Sequence, residues 1–163
     1  MNTSKWNEIY LNNKRLDNIF FEKYGNNKEL FKKNCIELLV ELGEFINETR
    51  IFKYWSIKKT NKELVLEEYA DVMTMILYFY NILDLQIMQP FSHAESQDIL
   101  EVLNYLYNQM SKLMTDKYLE NLVIDIFNNL IYVSQLLNIS EDEIIDAINK
   151  KHKIIEERLN SEY

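Results

Sequence analysis

Glu41 and Glu44 form an E-x-x-E pair, with Glu37 four residues before it and Glu48 four residues after. Residues three and four apart share one face of a helix, so these four glutamates make a single acidic stripe. Leu38, Leu42, Phe45 and Ile46 mark the neighbouring apolar face. Glu68 and Asp71 repeat the three-residue spacing, and Asp71 heads a run to Leu83 that is apolar almost all round. Such a helix is normally buried, and a lone buried carboxylate is costly. A cation is expected to compensate it. Oxygen-only ligands favour a hard ion, so Mg²⁺ (or Mn²⁺) is preferred to zinc. The residues read as a divalent metal site held between two helices by Glu41, Glu44, Glu68 and Asp71.

With roughly two or three ions the cluster would become a phosphate clamp that also lowers the pKa of a bound water. Glu41 or Glu44 would then take the proton of that water. Without a cation the same acids would repel, and one or more would hold a proton above the usual range. The plainer reading is that glutamates at this spacing are a solvated face. Glu67 and Glu68 also suit the start of a helix by its dipole alone. Two pairs on two long adjacent helices, with Asp71 leading into an apolar run, argue against that reading. A di-iron bundle needs Glu-x-x-His pairs. Neither His93 nor His152 follows a glutamate by three.

The elements that must position these acids are helical. The chain has 163 residues with only two glycines and one proline, which argues for long helices and one all-α domain spanning 1–163. Trp6, Ile9, Tyr10, Leu16, Ile19 and Phe20 recur at helical spacing, which predicts a first helix over about 4–23. Tyr24-Gly25-Asn26-Asn27 stops it, and a second helix is expected over about 28–48. The segment 49–62 reads as irregular. Thr60-Asn-Lys-Glu63 has the capping-box pattern and opens a third helix to about Leu83. A loop containing Pro90 follows. Ser92-His-Ala-Glu95 predicts a fourth helix from Ser92 to about Leu113, a fifth is expected to run to Leu137, and Ser140-Glu-Asp-Glu143 opens a sixth. A four-helix metal-binding core is expected among them.

A net charge of −8 makes a nucleic-acid backbone an unfavourable partner. The longest apolar run is too short to span a bilayer, and the first residues lack the apolar stretch of a signal peptide. Neither nucleic acid nor membrane is expected as a partner, and the location expected is cytoplasmic. The one cysteine, Cys35, excludes an internal disulfide and reads as a core thiol.

The run Glu41-Leu-Gly-Glu44, Asn47-Glu48, Phe52-Lys53-Tyr54-Trp55 and Glu67-Glu68-Tyr69-x-Asp71 resembles the dimeric, all-α dUTP pyrophosphatase (dUTPase) family. That family lies within the MazG-like nucleotide pyrophosphohydrolases. Leu16-Asp17 near the start, and Lys150-Lys151-His152 with Arg158 near the end, look similar too. The resemblance implies a homodimer that hydrolyses dUTP, and also dUDP, with Mg²⁺. This would keep uracil out of DNA and supply dUMP. It implies Glu41, Glu44, Glu68 and Asp71 as metal ligands, with Glu48 assisting. It places Trp55, Asn13 and Asp17 beside uracil and deoxyribose, and Lys58, Lys151 and Arg158 on the phosphates.

The chain departs from the family pattern at six positions. The family has glutamine at Asn13, glycine at Val72, histidine at Thr74, asparagine at Ile155, glutamine at Leu159 and glycine at Glu162. The departures fall on positions that read the nucleoside and cover the phosphates. Two alternatives therefore stay open: a MazG-like hydrolase of another non-standard nucleotide, and a non-catalytic helical protein that binds nucleotide or protein.

Overall fold

A computed structural model describes residues 1–90 and 93–161. Among these residues six helices follow one another: α1 (Thr3–Tyr24), α2 (Lys28–Thr49), α3 (Lys62–Ile82), α4 (Ile99–Met110), α5 (Leu119–Leu136) and α6 (Glu141–Asn160). Most starts are chemically marked. The Asn2, Asn27, Asn61, Asp98 and Ser140 side chains each accept a backbone N–H in the first turn of their helix, which satisfies donors the helix leaves orphaned. Ser140 and Glu143 complete the expected capping box. Gly25 closes α1 at φ 83°, a left-handed angle that costs glycine little.

Two expected starts are corrected. Asn61, not Thr60, caps α3, because the Thr60 hydroxyl donates instead to the Thr49 carbonyl across the connection at 3.0 Å. The fourth helix begins at Ile99 rather than Ser92, and Ser92 lies outside the described residues, as does Glu162. Residues 93–98 are instead tied across α5. Ala94 N–H donates to Asn129 Oδ1 at 2.8 Å, the Tyr132 hydroxyl donates to the Ser96 carbonyl at 3.1 Å, and the His93 ring stacks on Tyr132 at 3.9 Å. A backbone spent on these partners cannot also make helical bonds.

α3 is the central element. It packs against α1, α2, α5 and α6, and its pairing with α2 is the most extensive in the fold. This explains its near-uniform apolar sequence: Val72, Met73, Ile76, Leu77, Phe79 and Tyr80 are all buried. Trp6 of α1 meets Phe127 of α5 edge-on at 5.4 Å, and Phe45 of α2 meets Tyr69 of α3 edge-on at 5.3 Å. Among the described residues no single helix is long and apolar enough to cross a membrane.

Phe45 follows Glu44 on α2 and is fully buried. Phe45→Ala should cost about 3–5 kcal/mol, the range for emptying a well-packed aromatic site. Urea unfolding checks it, and a loss below about 1 kcal/mol would mean that this site collapses freely.

Candidate active site

α2 and α3 run side by side, and their pairing brings the two acid pairs together. Oxygens of Glu41, Glu44 and Glu68 all lie within 4.8 Å of one another. Glu44 is exposed, while Glu41 and Glu68 are half-buried. Glu41 Oε2 is buried and finds no hydrogen-bond partner among the described residues. A buried carboxylate oxygen without a donor is a costly arrangement, and it marks a place for a ligand that donates charge.

Asp71 takes a different partner. Its Oδ1 lies 2.5 Å from Lys151 Nζ of α6, both side chains being mostly covered, although the approach is not that of a well-directed hydrogen bond. The cation expected beside Asp71 is, in this state, an ammonium. Asp71 stands one helical turn from Glu68.

Crowding and burial raise these acids together. Burial, then the charges of Asp71 and Glu44, push Glu41 up to about 7. Burial raises Glu68 as well, with Asp71 and Glu44 adding to it. Burial also raises Asp71, against the pull of Lys151. Glu37, one turn before Glu41, is raised by burial too.

Beside the acids opens a pocket of about 460 Å³, walled by α1, α2, α3 and α6. Glu41, Asp71, Lys151 and Arg158 line its charged end, and Asn13 and Asp17 its α1 wall. Leu16, Phe20, Phe21, Met75 and Ile155 supply apolar lining. Asn34 and Tyr78, which the spacing of the acids does not point to, also face it. The Tyr78 hydroxyl is buried without a well-placed partner among the described residues. A polar residue on an apolar helix face could have flagged both. Trp55 and Lys58 do not line the pocket. They lie on the exposed connection between α2 and α3, where Trp55 packs edge-on against Phe52 and Tyr54. Glu48 is half-buried one turn beyond Glu44. Cys35 is fully buried and burial pushes its thiol up to about 11, as expected of a core thiol.

Asp17 Oδ2 accepts from Asn13 Nδ2 at 3.1 Å and from Asn81 Nδ2 at 3.2 Å. Burial outweighs both bonds and pushes Asp17 up to about 7. His152 is pressed the other way, to about 4, by burial and by Arg15.

These shifts predict a pH dependence. The folded state holds the Asp17 and Glu41 protons more tightly than the unfolded chain does. Their stabilising contribution is complete below the unfolded values of 3.8 and 4.5, and is lost as pH rises through about 7. His152 acts oppositely, its contribution being lost as pH falls from 6.5 toward 4. Two acids outweigh one base. Metal-free protein should therefore melt lower at about pH 8 than at about pH 5.5. Thermal melts in chelator check this, and a flat profile would contradict it.

The arrangement can do phosphate chemistry: clustered carboxylates for cations, two basic side chains, and a partly apolar pocket alongside. A family model described as dUTPase matches residues 5–163, and the chain belongs to that family. Membership makes it a dUTP diphosphatase, an all-α enzyme whose substrate is a nucleotide. No curated protein matches the chain.

Proposed function

We propose that the protein cleaves dUTP to dUMP and pyrophosphate, and dUDP as well, with Mg²⁺ held by Glu41, Glu44, Glu68 and Asp71 and with Glu48 assisting. The observation that carries this is the convergence of three carboxylates within 4.8 Å around an unpartnered buried oxygen of Glu41. An all-oxygen donor set of this kind fits a hard divalent ion. When bound, such ions would acidify a water and offset charge on the phosphates and the leaving pyrophosphate.

The chain's own residues do the rest. Glu41 or Glu44 accepts the proton of the attacking water. Lys151 leaves Asp71 for a phosphate oxygen, and Arg158 offers its planar fork to another. Asn13 and Asp17 border the nucleoside on the α1 wall, with Leu16, Phe20 and Met75 excluding water from it. Trp55 and Lys58, outside the pocket lining on the exposed α2–α3 connection, meet the nucleotide only beyond the pocket in this reading.

Residues 1–163 act as one domain in this reading, and two copies pair. Exposure of Phe52, Tyr54, Trp55 and Ile57 on one connection supports a covered face there. The location is the cytoplasm, where a free thiol such as Cys35 stays reduced. The test is pyrophosphate release from dUTP, with dTTP, dCTP and UTP alongside, with and without Mg²⁺. Fast turnover of dUTP only with Mg²⁺ is expected. Faster turnover of dCTP or dTTP would move the substrate assignment, and turnover indifferent to chelator would remove the metal.

A further inference from the structure

We infer that His152 is a positioning residue for the nucleoside wall: as the neutral Nε2–H tautomer it fixes the amide of Asn13 so that the wall presents hydrogen-bond acceptors. The inference rests on the proposal that Asn13 and Asp17 border the nucleoside.

Arg15 Nε and Nη2 donate to Asn12 Oδ1 at 3.1 and 3.0 Å. Arg15 also pairs with Glu156 at 2.8 Å. A guanidinium has donors and no acceptor, so the Asn12 oxygen must face it. The Asn12 amide nitrogen therefore faces His152 Nδ1, 3.0 Å away, and Nδ1 accepts. A neutral imidazole that accepts at Nδ1 carries its proton on Nε2. Nε2 lies 2.9 Å from Asn13 Oδ1 and donates to it.

The far end requires the same polarity. Asn13 Nδ2 reaches the Thr74 carbonyl at 3.4 Å and Asp17 Oδ2 at 3.1 Å. A carbonyl accepts only, so the Asn13 nitrogen must point there. The line from Arg15 to Thr74 thus has one consistent direction, set by an obligate donor at one end and an obligate acceptor at the other. His152 is 2 % exposed and Asn13 3 %, so water does not compete inside it. Burial holds the imidazole neutral, to about 4, and Arg15 adds to this.

The consequence is chemical. Both hydrogens of the Asn13 amide are spent inside the protein. What the wall has left is the second lone pair of Asn13 Oδ1 and, above about pH 7 where the carboxyl is ionised, the other oxygen of Asp17. A wall of acceptors reads a donor on the nucleoside, which is either the imide N3–H of the base or the 3′-hydroxyl of the sugar. His152 lies outside the pocket lining, so it acts only through Asn13.

The direct test is nitrogen-15 NMR of uniformly labelled full-length protein at about pH 8, above the Asp17 value of about 7, with the His93→Gln variant assigning the two rings. A protonated Nε2 and a bare Nδ1 are expected at His152. An Nδ1–H tautomer, or a doubly protonated ring, overturns the inference whatever the assays show.

The functional test, also at about pH 8 so that Asp17 is ionised, compares wild type, His152→Gln and His152→Met on dUTP, N3-methyl-dUTP and 2′,3′-dideoxy-UTP. Glutamine can accept from Asn12 and donate to Asn13, as this tautomer does, whereas methionine fills space only. Wild type should prefer dUTP over one of the two analogues, and that analogue names the donor being read. His152→Gln should keep the preference. His152→Met should lose about tenfold of it, chiefly in KM, the size of one good hydrogen bond. Equal loss in both variants, or full retention in His152→Met, overturns the positioning role. A wild type indifferent to both analogues would instead sink the Asn13–Asp17 reading, and the NMR result would still decide the tautomer.

Discussion

Glu41→Gln should abolish pyrophosphate release from dUTP, by about 10³-fold or more, while raising the melting temperature of the metal-free protein. The two effects have one cause. Glu41 sits half-buried among Glu37, Glu44 and Asp71, and its own burial and their charges raise it to about 7. Removing its charge relieves the repulsion that the empty cluster suffers. The same change removes an oxygen that no protein group partners and that the proposed ions would take. Opposed movements of activity and stability distinguish a working site from a structural one. A purely structural acid would lose stability on substitution, or do nothing. Retained turnover with a raised melting temperature would place the chemistry on Glu44 and Glu68 instead. The variant should also flatten the decline of stability between about pH 5.5 and pH 8, because one of its two acids is gone.

Lys151→Met should unfold more easily by about 3 kcal/mol without metal, and should regain most of that loss when Mg²⁺ is added. Lys151 Nζ is the only ammonium paired with Asp71 among the described ion pairs, and both groups are mostly covered. Removing one partner leaves a buried charge uncompensated, which is the expensive half of any buried pair. A divalent ion would restore the missing cation, so the Mg²⁺-induced rise in melting temperature should exceed that of wild type. Turnover should still fall by about 10²-fold, because the lysine no longer reaches phosphate. Calorimetric or thermal melts at fixed Mg²⁺ read the first effect, and single-substrate kinetics reads the second. If Mg²⁺ stabilises the variant less than wild type, Asp71 is not part of the cation site.

Much of the helical layout was legible because its causes are local. The tract from Leu38 to Ile46 carries an apolar stripe beside an acidic one, and that alternation is a property of neighbouring residues. Ser140 with Glu143 marks a helix start by chemistry four residues long. The start of α4 departs from its local signal for the opposite reason. A capping-box pattern at Ser92 competes with partners on α5, Asn129 and Tyr132, that lie more than thirty residues away in sequence. Local preference loses when distant groups claim the same backbone.

The site divides in the same way. By itself the sequence determined the acid pairs, their shared faces and the buried setting of Asp71, because helical periodicity places residues three and four apart together. Only the tertiary structure decided that α6 delivers Lys151 to Asp71 and His152 to Asn13, that Asn34 and Tyr78 join the pocket, and that Trp55 and Lys58 stand outside it. Those outcomes depend on how α1, α3 and α6 pack around one cavity. Packing direction and side-chain reach are not periodic in sequence, so no spacing along the chain could announce them.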